Sequence, residues 1–94
     1  MQAGDQTTWV IGRHSDCDIV LGDDTVSRYH AELVLGRNGR PYLVDRRSTH
    51  GTWVAERGGW QRLERGGYVE EQTRLKLGRY ETTVHDLMAA IRRK

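Results

Sequence analysis

Residues able to hold an oxyanion recur at the ends of short β-like runs: Gly12-Arg13, Ser27-Arg28-Tyr29-His30, Asp45 and Ser48-Thr49-His50-Gly51-Thr52. Their types point to one anion pocket assembled from loops. Arg13 offers a planar fork of N–H donors, Ser27 and Thr49 offer hydroxyls, and Gly12 and Gly51 allow close approach of the backbone to an anion. A phosphate monoester, with about −1.5 to −2 charge and three acceptor oxygens, needs this mixture of one fixed cation and several convergent donors. Ser27, His30 and an Asp also have the residue types of a hydrolytic triad. No strand-turn-helix elbow or oxyanion arrangement is legible around them, so a binding site is expected rather than an enzyme. His14-x-x-Cys17 has a zinc-compatible spacing without a second compact pair, so no metal or other cofactor is expected.

These clusters need a scaffold of strands to bring them together. Candidate strands are Trp9–Ile11, Ile19–Leu21, Ala31–Leu35, Tyr42–Val44, Thr52–Ala55, Gln61–Leu63 and Arg74–Leu77, with a further extended run from Glu81 to Leu87. Ala31-Glu32-Leu33-Val34-Leu35 and Leu75-Lys76-Leu77 alternate, which requires one dry and one wet face. Asn38-Gly39, at the tip of Gly36–Arg40, predicts a hairpin joining Leu35 to Tyr42. Gly58-Gly59 and Gly66-Gly67 read as turns. The tail from His85 to Lys94 places Leu87, Met88 and Ile91 at helical spacing, with basic residues in its last turn. It reads as a short amphipathic helix packed on the strands. Short strands and frequent turns together predict an all-β, two-sheet sandwich with a short C-terminal helix.

The motifs and their spacing resemble the forkhead-associated (FHA) domain, whose signature is Gly-Arg, then Ser-Arg-x-His, then Asp-x-x-Ser-x-Asn-Gly-Thr. The likeness runs from Trp9 to Leu77 and includes Trp9-Val10-Ile11 and Asp18-Ile19-Val20-Leu21. It implies a single FHA domain over residues 1–94, of bacterial type, that binds phosphothreonine in partner proteins downstream of a Ser/Thr kinase. By the same resemblance Arg13, Ser27, Arg28 and Thr49 are phosphate-binding residues, with Ser27 donating through both its hydroxyl and its backbone N–H. Gly12, His30, Ser48, Gly51 and Thr52 shape the loops, and Arg79 and Tyr80 lie where they could read a neighbouring ligand residue.

One departure matters, because His50 stands where the family usually has Asn, the residue that bonds the ligand's main chain. An imidazole cannot present an amide's donor and acceptor in the same close geometry. Phosphate binding with altered main-chain registration is therefore expected, the alternative being a phosphate-independent interaction module of the same fold. The family's first strand is expected to be missing or truncated, since Met1–Gln6 is short and polar, leaving a sheet edge to be covered. Thr7 and Thr8 are candidate phosphorylation sites that would fold back into the pocket, as N-terminal threonines do in some bacterial relatives.

Composition sets outer bounds. Ninety-four residues with 30% charged side chains and a net charge of +2 suit one modest core. The arginines are scattered rather than striped, so nucleic acid is not an expected partner. No long apolar run or leader-like segment is present, which gives the expectation of a cytoplasmic protein without a membrane partner. The single Cys17, between Asp16 and Asp18, is expected to have a raised pKa and to be unreactive. Oligomeric state is not legible.

Overall fold

In the computed structural model, which describes residues 6–92, nine strands precede one helix. The strands are β1 (Thr7–Gly12), β2 (Ile19–Val20), β3 (Ala31–Leu35), β4 (Pro41–Asp45), β5 (Thr52–Glu56), β6 (Gly59–Arg62), β7 (Gly66–Tyr68), β8 (Arg74–Leu77) and β9 (Tyr80–Thr83), followed by α1 (Val84–Ala89). They form two sheets, ordered β2-β1-β3-β4-β7 and β6-β5-β8-β9.

Alternation decides which side of each strand is dry. Ile11, Ala31, Leu33 and Leu43 face inward from the first sheet, and Leu75 and Leu77 from the second, all without measurable exposure. Register holds these positions in line, with Trp9 opposite Leu33 and Leu33 opposite Leu43. Trp9 and Val54 pack against this core from its margin. The predicted hairpin at Asn38-Gly39 joins β3 to β4, with Leu35 opposite Pro41.

Several local expectations need correction. Gly66-Gly67 is not only a turn: with Tyr68 it forms β7, pairing with Tyr42–Val44. The absence of side chains let periodicity miss it. The last strand stops at Thr83, whose Oγ1 accepts the Asp86 N–H at 3.0 Å and starts the helix. That helix ends at Ala89, so the basic residues lie beyond it and its last turn holds none. Its packing on the sandwich is as expected, since Val84 and Leu87 are buried in the core and Met88 and Ile91 lie against it. Arg92 then turns back to the β1–β2 loop, its N–H on the Asp18 carbonyl and its Nη1 on the Ser15 carbonyl.

β1 lies inside its sheet, between β2 and β3, and the free edges belong to β2, β7, β6 and β9. The polar start, Met1–Asp5, lies outside the described residues. Thr7 and Thr8 pair with Leu35 and Val34, at the end of β1 opposite to Gly12. Folding back into a pocket beside Gly12 would require unpairing the strand, which argues against that expectation. Among the described residues no helix is long and apolar enough to cross a membrane.

Leu33 is the middle of this arrangement, and Leu33→Ala is expected to lower unfolding free energy by about 2–5 kcal/mol, read from urea titration.

Candidate functional site

Three loops meet at one end of the sandwich because the strands feeding them are paired in register. The β1–β2 loop carries Arg13, the β2–β3 loop carries Asp23 to His30, and the β4–β5 loop carries Arg46 to Gly51. Gly12 permits the closest of these contacts. A Cβ there would lie 2.0 Å from the Arg28 carbonyl oxygen, so the first two loops touch backbone to backbone. Arg13 and His14 donate their N–H groups to the Ser27 and Arg28 carbonyls at 3.0 and 3.2 Å.

His30 joins the second loop to the third and is fully buried. Its Nδ1 accepts the Ser27 N–H at 3.0 Å, which places the ring proton on Nε2, donating to the Gly51 carbonyl at 2.9 Å. Both nitrogens are used by the neutral ring. Burial holds its pKa below the ordinary 6.5, outweighing the Gly51 carbonyl and the Asp45 charge, which favour protonation. No base is left for Ser27, whose Oγ instead accepts the Thr49 N–H at 3.0 Å. The triad types are therefore present in an architectural arrangement. The Ser27 N–H, expected as a phosphate donor, is already engaged by His30.

Asp45 anchors the third loop from below. Its Oδ1 accepts the Ser48 and Thr52 hydroxyls at 2.6 and 2.7 Å, and its Oδ2 accepts the Ser48 N–H at 3.1 Å. Burial alone would raise this carboxyl, but the two hydroxyls and the N–H together hold it below the ordinary 3.8. Ser48 and Thr52 are both buried, with their hydroxyls turned onto this carboxylate. Gly51 sits at φ 85, a left-handed conformation that favours glycine.

Trp53 was not legible as a site residue. From the outer face of β5 its Nε1–H donates to the His50 carbonyl at 3.0 Å. The Arg62 guanidinium lies over its ring at 5.6 Å, and a Cβ on Gly51 would meet both side chains at 3.0 Å. The only available signal was its place one residue beyond the loop motif, and an aromatic in a strand reads first as packing.

A small cavity of about 220 Å³ opens between these loops, lined by Arg13, Asp24, Thr25, Val26, Ser27, Thr49 and His50. Larger clefts elsewhere have other linings. Among the described residues, the small one brings Arg13, Ser27 and Thr49 together. Arg13 is held in it by its Nε–H on the Val26 carbonyl at 2.9 Å, leaving both Nη groups for a ligand. The Ser27 hydroxyl, having accepted from Thr49, keeps its own proton to donate. Asp24 supplies one opposing charge.

Not all the expected residues converge. Arg28 is exposed and absent from the lining, while its carbonyl accepts the Cys17 thiol at 3.3 Å. Burial first, and the flanking aspartates after it, raise the Cys17 pKa. Arg79 donates its N–H to Thr25 Oγ1 at 2.8 Å and so borders the pocket through Thr25. Tyr80 belongs to a different cleft, between β9 and α1.

Comparison with known proteins follows this geometry. The FHA domain family matches residues 9–79. The oxoglutarate dehydrogenase inhibitor of Corynebacterium jeikeium is 55% identical over 51 residues, 53% of this chain and 34% of that protein. Among solved structures, the FHA domain of CT664 protein from Chlamydia trachomatis has a TM-score of 0.72 at 26% identity, covering 86% of this chain and 76% of that one. The N-terminal FHA domain of Rad53p from S. cerevisiae, in complex with a phosphothreonine peptide, gives 0.63 at 27% identity over 77% of this chain and 56% of that one. This chain spans only 4%, 14% and 34% of three curated relatives.

Two outcomes follow from the loop contacts. Unfolded His30 takes up a proton near pH 6.5 while the folded ring resists, so the unfolded state binds more protons and stability falls as pH drops below 6.5. Asp45 adds a further loss below 3.8. His30→Gln is expected to be less stable near neutrality and to show a flatter dependence between about pH 7 and 5, read from denaturant midpoints. Trp53→Phe removes one neutral hydrogen bond, and roughly 2- to 10-fold faster amide exchange is expected at Thr49, whose N–H lies in the same loop.

Proposed function

Because this chain belongs to the FHA domain family, we propose that it is a phosphothreonine reader, binding phosphorylated partner proteins at the loop end of the sandwich. The observation that carries this reading is the convergence of Arg13, Ser27, Thr49 and His50 on one small cavity from three separate loops. A fixed guanidinium with free Nη groups meets the requirement for a cation, and charge-assisted hydrogen bonds to it are the strongest contacts a phosphate can make there. Ser27 and Thr49 donate hydroxyl protons to the remaining oxygens. His50 replaces the family's main-chain contact with a ring nitrogen, and Arg79 reads a ligand residue beside Thr25. Arg28, outside the cavity, meets the ligand's backbone or a phosphate oxygen only if its exposed side chain swings across.

The yeast domain in complex with a phosphothreonine peptide supports the ligand class, and the bacterial relative, an oxoglutarate dehydrogenase inhibitor, supports a regulatory rather than catalytic role. A Ser/Thr kinase then acts upstream, and its need for ATP favours a cytoplasmic setting. The chain works as a single domain and a binding module, with no chemistry of its own. His50 favours one second reading, a module whose contacts no longer need phosphate.

Calorimetry with phosphothreonine, phosphoserine and unphosphorylated peptide pools separates the two readings. Only the first pool is expected to bind, and Arg13→Ala to weaken it by roughly 10- to 150-fold, the value of a charge-assisted bond. Equal binding of all three pools would establish the phosphate-independent reading instead. His50→Asn is expected to tighten phosphothreonine binding by less than Arg13→Ala weakens it, since a neutral bond is smaller.

A further inference from the structure

The β4–β5 loop is a wall with a cavity on each side. Thr49 and His50 line the small pocket, whereas Arg47 and Ser48 line an open cavity of about 630 Å³ completed by Val44, Asp45, Arg62, Leu63, Glu64 and Arg65. Arginines scattered through the sequence are brought together here by the pairing of β5 with β6. We propose that Arg47, Arg62 and Arg65 form a second anion site, which takes a carboxylate or phosphate carried by the same ligand as the phosphothreonine.

The arginines are held but not neutralised. The Asp45 N–H donates to the Arg65 carbonyl and the Leu63 N–H to the Thr52 carbonyl, both at 2.8 Å, which ties the two arginine-bearing segments together. Arg62 is braced over Trp53. Neither Arg47 nor Arg65 has a side-chain hydrogen bond or ion pair among the described residues. Of the acidic groups in the lining, Asp45 is committed to Ser48 and Thr52, which leaves the exposed Glu64 as the competing charge. Arg47 is also the one non-glycine residue at positive φ among the described residues, at φ 55. Such a conformation costs free energy, and it is maintained here at the cavity's rim.

Because the two cavities share one loop as their wall, a short extended stretch of about two to four residues, with a reach of roughly 7–14 Å, is the expected spacing. The partner class is therefore a phosphothreonine protein with a second negative group two to four residues away. This rests on the phosphothreonine reading above.

The test uses alanine-flanked phosphothreonine peptides carrying one glutamate or one phosphoserine at each of those positions on either side. At least one register is expected to bind about 5- to 10-fold more tightly than the all-alanine peptide, and the gain to vanish in the Arg47→Asn/Arg65→Gln protein. Asn is chosen because it tolerates positive φ. The all-alanine peptide should bind the two proteins equally. Glutamate gains without larger phosphoserine gains would identify acidic side chains as the source, and the reverse a second phosphate. Where the all-alanine peptide binds, no gain in any register, or a gain that survives the double substitution, overturns the proposal. A separate arm titrates inorganic phosphate into Arg13→Ala and follows the side-chain Nε–H NMR signals of Arg47 and Arg65. Movement of those signals supports the second site even if phosphothreonine binding fails, and their silence overturns it even if that binding succeeds.

Discussion

The neutral imidazole of His30 is the contact on which the binding end depends. It is buried, it accepts from Ser27 and it donates to Gly51, so one ring fixes the spacing of two loops that are far apart in the chain. A protonated ring would lose the acceptor that holds Ser27, and a non-polar replacement would leave the half-buried Ser27 N–H without its partner and the Gly51 carbonyl with only the Gly78 N–H. An unsatisfied donor of that kind costs about 1–3 kcal/mol. The depressed pKa and the architecture are two aspects of the same fact.

Around His30 the remaining contacts form a closed frame. Asp45 holds Ser48 and Thr52, Ser27 holds Thr49, and Trp53 holds His50 from the outer face. Successive residues of the β4–β5 loop are therefore fixed by different neighbours. The loop's conformation does not depend on a ligand, and little ordering cost remains to be met when one arrives.

Much of this was legible in the sequence, for a physical reason. Strands such as Ala31–Leu35 alternate because one face is dry, and the Asn38-Gly39 hairpin follows from backbone torsions that few other residues favour. The loop motifs were legible because polar residues with fixed offsets have few alternative uses. What escaped depended on tertiary placement. β7 has two glycines and no alternation, and is defined only by the strand beside it. Trp53 acts through a ring nitrogen on the face opposite the core, where strand periodicity records only exposure. Arg28 and Tyr80 were placed by analogy at the pocket, and neither lines the small cavity.

The frame also uses up main-chain donors. The N–H groups of Arg13, Ser27, Ser48 and Thr49 all donate within the fold. What faces the cavity is therefore mostly side-chain chemistry, carried on a backbone already satisfied without it. Folding and recognition are encoded in largely separate atoms. Mutation can retune or erase the ligand preference while leaving the scaffold intact, so the same sandwich can be recruited to new partners by exchanging a few side chains.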